Sequence, residues 1–111
     1  MDITRQNGTL SVTDLRELNA DNADSFQSAI AASLADDLKT IEIDLSQTQV
    51  VDGAGLGALV FLYEAAKKQP NLYPLSLRLK HPVPTVQQML ELARLHHVFE
   101  ILPSPTSTLV D

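Results

Sequence analysis

Apolar and polar residues alternate at two distinct periods along this chain, and the change of period marks its elements. Ile3 to Arg5 and Leu10 to Leu18 read as two strands around Asn7-Gly8. An Asn-Gly pair between alternating segments signals a hairpin, because both residues accept positive φ. The alternation of Leu10, Val12 and Leu15 falters at Asp14, which predicts a bulge or a shifted register there. Asn19-Ala20-Asp21-Asn22 supplies side chains that can accept hydrogen bonds at a helix start. Phe26, Ile30, Leu34 and Leu38 then recur every fourth residue, predicting a helix of about four turns.

Thr40 to Leu45 alternates strictly, with Ile41, Ile43 and Leu45 on one face and Glu42 and Asp44 on the other. After a loop from Ser46 to Val51, a second helix is predicted from about Gly53 to Lys68. Leu56, Leu59, Val60 and Tyr63 form its expected core stripe, and Gln69-Pro70-Asn71 its stop. Leu75, Leu77 and Leu79 mark another half-buried strand. Pro82 and Pro84 precede a third helix with a capping-box pattern, Thr85-x-x-Gln88, and a stripe of Val86, Met89, Leu90 and Ala93. Val98 to Leu102 reads as a short final strand or an extended tail. The stretch 104–111, rich in Pro, Ser and Thr, is expected to be disordered, which leaves one domain over residues 1–103. The order strand, strand, helix, strand, helix, strand, helix predicts an α/β fold: a mixed sheet with an N-terminal antiparallel hairpin and helices mainly on one face.

Composition narrows the function. A chain of 111 residues suits a single domain. The absence of Cys removes disulfides, thiolate metal sites and thiol nucleophiles, and agrees with a cytoplasmic location. No apolar run approaches the ~20 residues needed to span a bilayer, and the first residues lack a secretory h-region. A net charge of −6 disfavours nucleic acid and anionic lipid and would suit a partner with a basic face. With Phe 3, Tyr 2 and Trp 0, there is no stacking platform for single-stranded nucleic acid.

The most informative stretch runs from Asp44-Leu45-Ser46 to Asp52-Gly53-Ala54-Gly55-Leu56-Gly57. It reads as a buried strand, a loop, an acidic cap and a glycine-softened helix start. Asp52 is the expected N-cap. Gly53, Gly55 and Gly57 would let a partner backbone come close, or would simply make a tight turn into a packed helix. At ~100° per residue, Ala54, Ala58, Phe61 and Ala65 fall opposite the expected core stripe, with Leu62 beside them. A second apolar face of this kind is a candidate docking patch.

These residues resemble the signature of the STAS domain, the fold of the bacterial anti-sigma-factor antagonists. Leu15-Arg16-Glu17-Leu18-Asn19 and the segment Val86 to Leu95 with Val98-Phe99-Glu100-Ile101 add weaker likeness. The resemblance implies an SpoIIAA-like sheet and a protein-binding surface at the start of the second helix. It would include Asp21, Asp52, Gly53, Ala54, Gly55, Leu56, Ala58, Phe61 and Leu62. It also implies a kinase-like anti-sigma factor as partner, with phosphorylation of a hydroxyl in the loop. A phosphate at a helix N-terminus would be favoured by free N–H groups and would add charge to the docking surface. The positions equivalent to the phosphoacceptor are Gly53 and Ala54, neither of which has a hydroxyl. Arg16 and Arg94 stand where the family commonly has Gly, and Asn19 where it has Asp. STAS subunits of membrane transport ATPases, including lipid-trafficking types, and scaffolds of stress-signalling complexes are the alternative, since they need no phosphoswitch.

No enzyme is expected. Asp44 and Asp52 could pair for acid/base work, but no pocket or partner with a separated pKa is visible. Adjacent His96 and His97, and the distant His81, make poor metal ligands and suit helix-end roles. There is no nucleophile elbow, P-loop or dinucleotide fingerprint, so no cofactor is implied. Ser46 and Thr48 are loop hydroxyls that could substitute as phosphoacceptors.

Overall fold

Asn7 and Gly8 both have positive φ, 54° and 80°, as a two-residue primed hairpin turn requires. They join β1 (Asp2–Gln6) to β2 (Thr9–Thr13), with Gln6 opposite Thr9 and Asp2 opposite Thr13. The structure is a computed structural model that describes residues 1–68 and 75–103. The expected helix stop at 69–71 and the tail at 104–111 lie outside the described residues.

The faltering alternation at Asp14 has a backbone cause: Asp14 takes φ 56°, which ends β2. The strand expected to run on to Leu18 resumes only as β3 (Glu17–Leu18). β3 pairs in parallel with β5 (Val50–Val51), within the segment expected to be a loop. Two-residue strands carry no periodicity, so this small ladder was invisible to pattern. The main sheet has the order β1-β2-β4-β6-β7, with β4 (Thr40–Asp44), β6 (Ser76–Lys80) and β7 (Glu100–Leu102). The hairpin is antiparallel and the remaining pairs are parallel. The final segment is thus a strand, two residues shorter than expected.

One face of this sheet is apolar. Val12, Ile43 and Leu79 lie in register, as do Leu10, Ile41 and Leu77, and all are buried. Phe26 and Ile30 of α1 (Ala23–Ala31) and Leu59 and Leu62 of α2 (Gly53–Lys68) join the same core. The other face stays polar and half-exposed. There Arg78 donates to Glu100 at 2.7 Å and to Glu42 at 3.5 Å, and Lys80 lies 3.9 Å from Glu42. Those carboxylates, Glu100 foremost, raise the pKa of Arg78 further.

The first helix is nine residues long, not four turns. Ser33 donates its hydroxyl to the Ala29 carbonyl at 2.9 Å, a local bond that competes with helix continuation. Beyond it, Asp36 and Asp37 would face the negative end of the helix. Asp37 instead pairs with Arg5 of β1, whose hydrogen bond lowers the Asp37 pKa. Leu34 and Leu38 still pack inward, half-buried and fully buried, from a turn instead of a helix.

α3 (Pro84–Leu92) begins at Pro84, with Val83 as N-cap and no side-chain cap bond. Thr85 is therefore already inside the helix, and the capping box does not form. Val86 and Leu90 are buried as expected, whereas Ala93 is exposed. Arg94 then takes φ 60° and turns the chain into a short 3₁₀ helix (Leu95–His97), which buries Leu95. A left-handed residue at a helix end explains why glycine would be at ease in this position.

Candidate functional site

The β3–β5 ladder sets two helix starts side by side, because β3 leads into α1 and β5 into α2. Asp52 joins them. Its Oδ1 accepts from the Gly55 N–H at 3.0 Å, capping α2 as expected. Its Oδ2 accepts from the Ala20 N–H at 3.2 Å, in the loop that starts α1. The Asp52 N–H donates to the Leu18 carbonyl at 3.2 Å. Asn19 and Asn22 hold the same loop: Asn22 Oδ1 accepts from the Asn19 N–H at 2.9 Å, and Asn22 Nδ2 donates to the Glu17 carbonyl at 2.7 Å. Asn19 Oδ1 accepts from the Asp21 N–H at 3.0 Å. Asn22 is the N-cap residue of α1, yet its side chain makes no cap bond; it secures the loop instead. Asp52→Ala removes both carboxylate bonds and is expected to cost about 1–2 kcal/mol, read as a lower midpoint in urea unfolding.

α2 is rotated relative to its sequence pattern. Its buried residues are Gly55, Ala58, Leu59, Leu62 and Ala66. Leu56 and Tyr63, expected in the core stripe, are half-buried, and Val60 is 39% exposed. Gly55 sets the rotation. A Cβ there would lie 2.1 Å from the Leu18 carbonyl oxygen, so this face of the helix sits directly on β3. Positions 58, 59, 62 and 66 follow on the same face at helical spacing. Bulk misled the pattern, because small residues at a close contact carry little hydrophobic weight.

Three candidate contact residues are therefore corrected: Gly55, Ala58 and Leu62 are inside the subunit, where packing on β3 and α1 needs them. Asp21, Gly53 and Ala54 are exposed, Asp52 and Leu56 are half-buried, and Phe61 is 48% exposed. Gly57 and Val60 join them at the surface. They would have been found by taking Gly55, not Leu56, as the inward position. Nothing lies within 4 Å of a Cβ built at Gly53 or Gly57. Gly57→Ala, in an exposed helix interior, is expected to stabilise the free protein by about 1 kcal/mol, read in the same unfolding assay.

The loop hydroxyls differ in access. Thr48 is fully buried and donates to the Leu15 carbonyl at 2.5 Å. Ser46 is exposed, and its N–H is held by Asp44 Oδ1 at 2.8 Å. Asp44 thus ends a strand and Asp52 caps a helix. Neither borders the cleft of about 250 Å³ lined by Tyr63, Lys67, Leu77, Val98 and Glu100 among others. The His96 and His97 rings lie tilted by 39° with centroids 3.9 Å apart, and no trio of His, Cys, Asp or Glu among the described residues could hold a metal. No helix among them is long and apolar enough to cross a membrane.

A mixed sheet that hands its chain to a capped helix with an uncovered front end defines a class of small α/β domain. The chain belongs to the STAS-domain family: the family model described as "Mlab, STAS domain" matches residues 1–103. Three solved structures share the fold. A Thermotoga maritima protein taken to be an anti-sigma factor antagonist is 18% identical, with a TM-score of 0.79 over 97% of this chain and 90% of that one. An anti-sigma factor antagonist from Mycobacterium paratuberculosis is 22% identical, with a TM-score of 0.70 over 96% and 87%. The unphosphorylated form of the anti-sigma factor antagonist SpoIIAA is 11% identical, with a TM-score of 0.65 over 99% and 94%. Among curated proteins no sequence match reaches significance.

Proposed function

We propose that this chain is a non-catalytic protein-binding module of the anti-sigma-factor-antagonist type. It acts in the cytoplasm on a kinase-like anti-sigma factor, through Asp21, Asp52, Gly53, Ala54, Leu56 and Phe61. The observation that carries this reading is the open front of α2: residues 53 and 54 are exposed, Phe61 is uncovered, and Asp52 fixes the whole end. Gly53 and Ala54 stand at the phosphoacceptor-equivalent positions without a hydroxyl, so the module stays in its binding-competent form. Its control then comes from abundance or from another partner.

The test is incubation with the cognate anti-sigma kinase and ATP, followed by intact-mass and binding measurements. The expected result is a complex that survives ATP, with no phosphoryl group added between residues 46 and 56. Gly53→Ser, which meets open space, is expected to gain one phosphoryl group and release the partner. Phosphorylation of the unaltered chain at Ser46 would refute constitutive binding. A second reading, a subunit of a membrane transport ATPase, is favoured by the same missing hydroxyl. Co-purification with a membrane ATPase in place of a soluble kinase-like protein would select it.

A further inference from the structure

The hairpin turn carries the only Asn-Gly step in the chain. Asn7 is exposed, and among the described residues its carboxamide makes no hydrogen bond and the Gly8 N–H donates to no acceptor. The comparable groups elsewhere are held. Asn19 Oδ1 accepts from the Asp21 N–H, Asn22 is bonded at both ends of its carboxamide, and each of these asparagines precedes alanine. Asp52-Gly53 has the same spacing of carbonyl and amide, but Gly55 and Ala20 engage both Asp52 oxygens. Asn7 alone combines a free carboxamide with a following residue that has no side chain to obstruct its amide nitrogen.

We propose that Asn7 is a site of spontaneous covalent modification, at which the exposed turn converts asparagine to isoaspartate and limits the working lifetime of the fold. The Gly8 nitrogen attacks Asn7 Cγ. That N–C bond forms, the Cγ–Nδ2 bond breaks, and Nδ2 leaves as ammonia with the proton from Gly8. Water then opens the five-membered imide. Attack at Cγ gives aspartate; attack at the main-chain carbonyl gives isoaspartate, in which the chain runs through Cβ and Cγ. Ring closure requires the turn to open, since Asn7 and Gly8 are held at φ 54° and 80°. The turn is an exposed end of the edge hairpin, where local opening costs least.

Isoaspartate inserts a methylene into the main chain of a two-residue turn whose geometry is fixed. The Gly8 carbonyl, which accepts from the Lys39 N–H at 2.8 Å and the Thr40 N–H at 3.2 Å, is displaced from both. Thr9, the next residue, lies opposite Gln6 of β1 on one side and Thr40 of β4 on the other. One event at the turn therefore loosens two ladders. This inference stands apart from the docking reading.

The test ages the full chain in mildly alkaline buffer and maps its peptides by mass spectrometry, with fragmentation that separates aspartate from isoaspartate. Ammonia loss is expected first at Asn7, at a rate no more than about a hundredfold below that of the chain unfolded in urea. The isoaspartate form, separated chromatographically, is expected to melt about 5 °C or more below the parent. Asn7→Asp adds the charge without lengthening the chain and is expected to melt within about 3 °C of the parent. Asn7→Gly keeps residue types that suit a primed turn and is expected to stay unmodified there. First reaction at any other residue, isoaspartate at residue 52, conversion of Asn7 only in urea, or an isoaspartate form that melts with the parent or with Asn7→Asp overturns the inference.

Discussion

Gly55→Ala is expected to destabilise the protein by about 3 kcal/mol or more. The added methyl would sit 2.1 Å from the Leu18 carbonyl oxygen, and that oxygen belongs to backbone, which cannot swing aside like a side-chain tip. Relief requires α2 to lift from β3. That would stretch the Asp52 N–H bond to Leu18 and the Asp52–Ala20 contact, 3.2 Å each. A loss of this size lowers the melting temperature of a domain this small by roughly 10–20 °C and is a large share of a typical total stability of about 5–15 kcal/mol. Thermal unfolding of Gly55→Ala beside Gly57→Ala makes a matched pair: the same methyl, two residues away, is expected to raise the midpoint. Equal melting temperatures for the two variants would mean that α2 does not press on β3 as described.

Phe61→Asp is expected to separate binding from stability. Phe61 is 48% exposed, so its replacement removes little buried area from the fold, and the unfolding midpoint is expected to stay within about 0.5 kcal/mol of the parent. An aromatic side chain at the centre of an interface typically contributes about 2 kcal/mol or more, so affinity for the partner should drop by roughly 30-fold. Titration of the isolated partner, with circular dichroism to confirm folding, checks both halves. Unchanged affinity would remove Phe61 from the docking surface.

The architecture was legible wherever alternation was strong. β2, β4 and β6 each keep one buried face, and the Asn7-Gly8 turn forms as its residue types require. Asp52 was legible as a cap because its role is local. The misreadings share a different origin. The rotation of α2 depends on how closely Gly55 approaches a strand distant in sequence, and hydrophobic weight is blind to a contact made by absence of a side chain. α1 ends early because the Ser33 hydroxyl bond and the pairing of Asp37 with Arg5 outweigh a well-spaced apolar stripe. Of the residues expected to form a contact surface, Asp21, Gly53, Ala54 and Phe61 are exposed, whereas the rotation of α2 buries Gly55, Ala58 and Leu62 and exposes Val60 instead.

The short ladder between β3 and β5 has a consequence for association. It ties both helix starts to one backbone frame, with Asp52 bonded across it, so the surface offered by α2 has its form before any partner arrives. Capture then demands little loss of main-chain freedom, and more of the gross contact energy remains as net affinity. The amides of Gly55 and Ala20 should accordingly exchange slowly with deuterated water in the free protein, not only after a complex has formed.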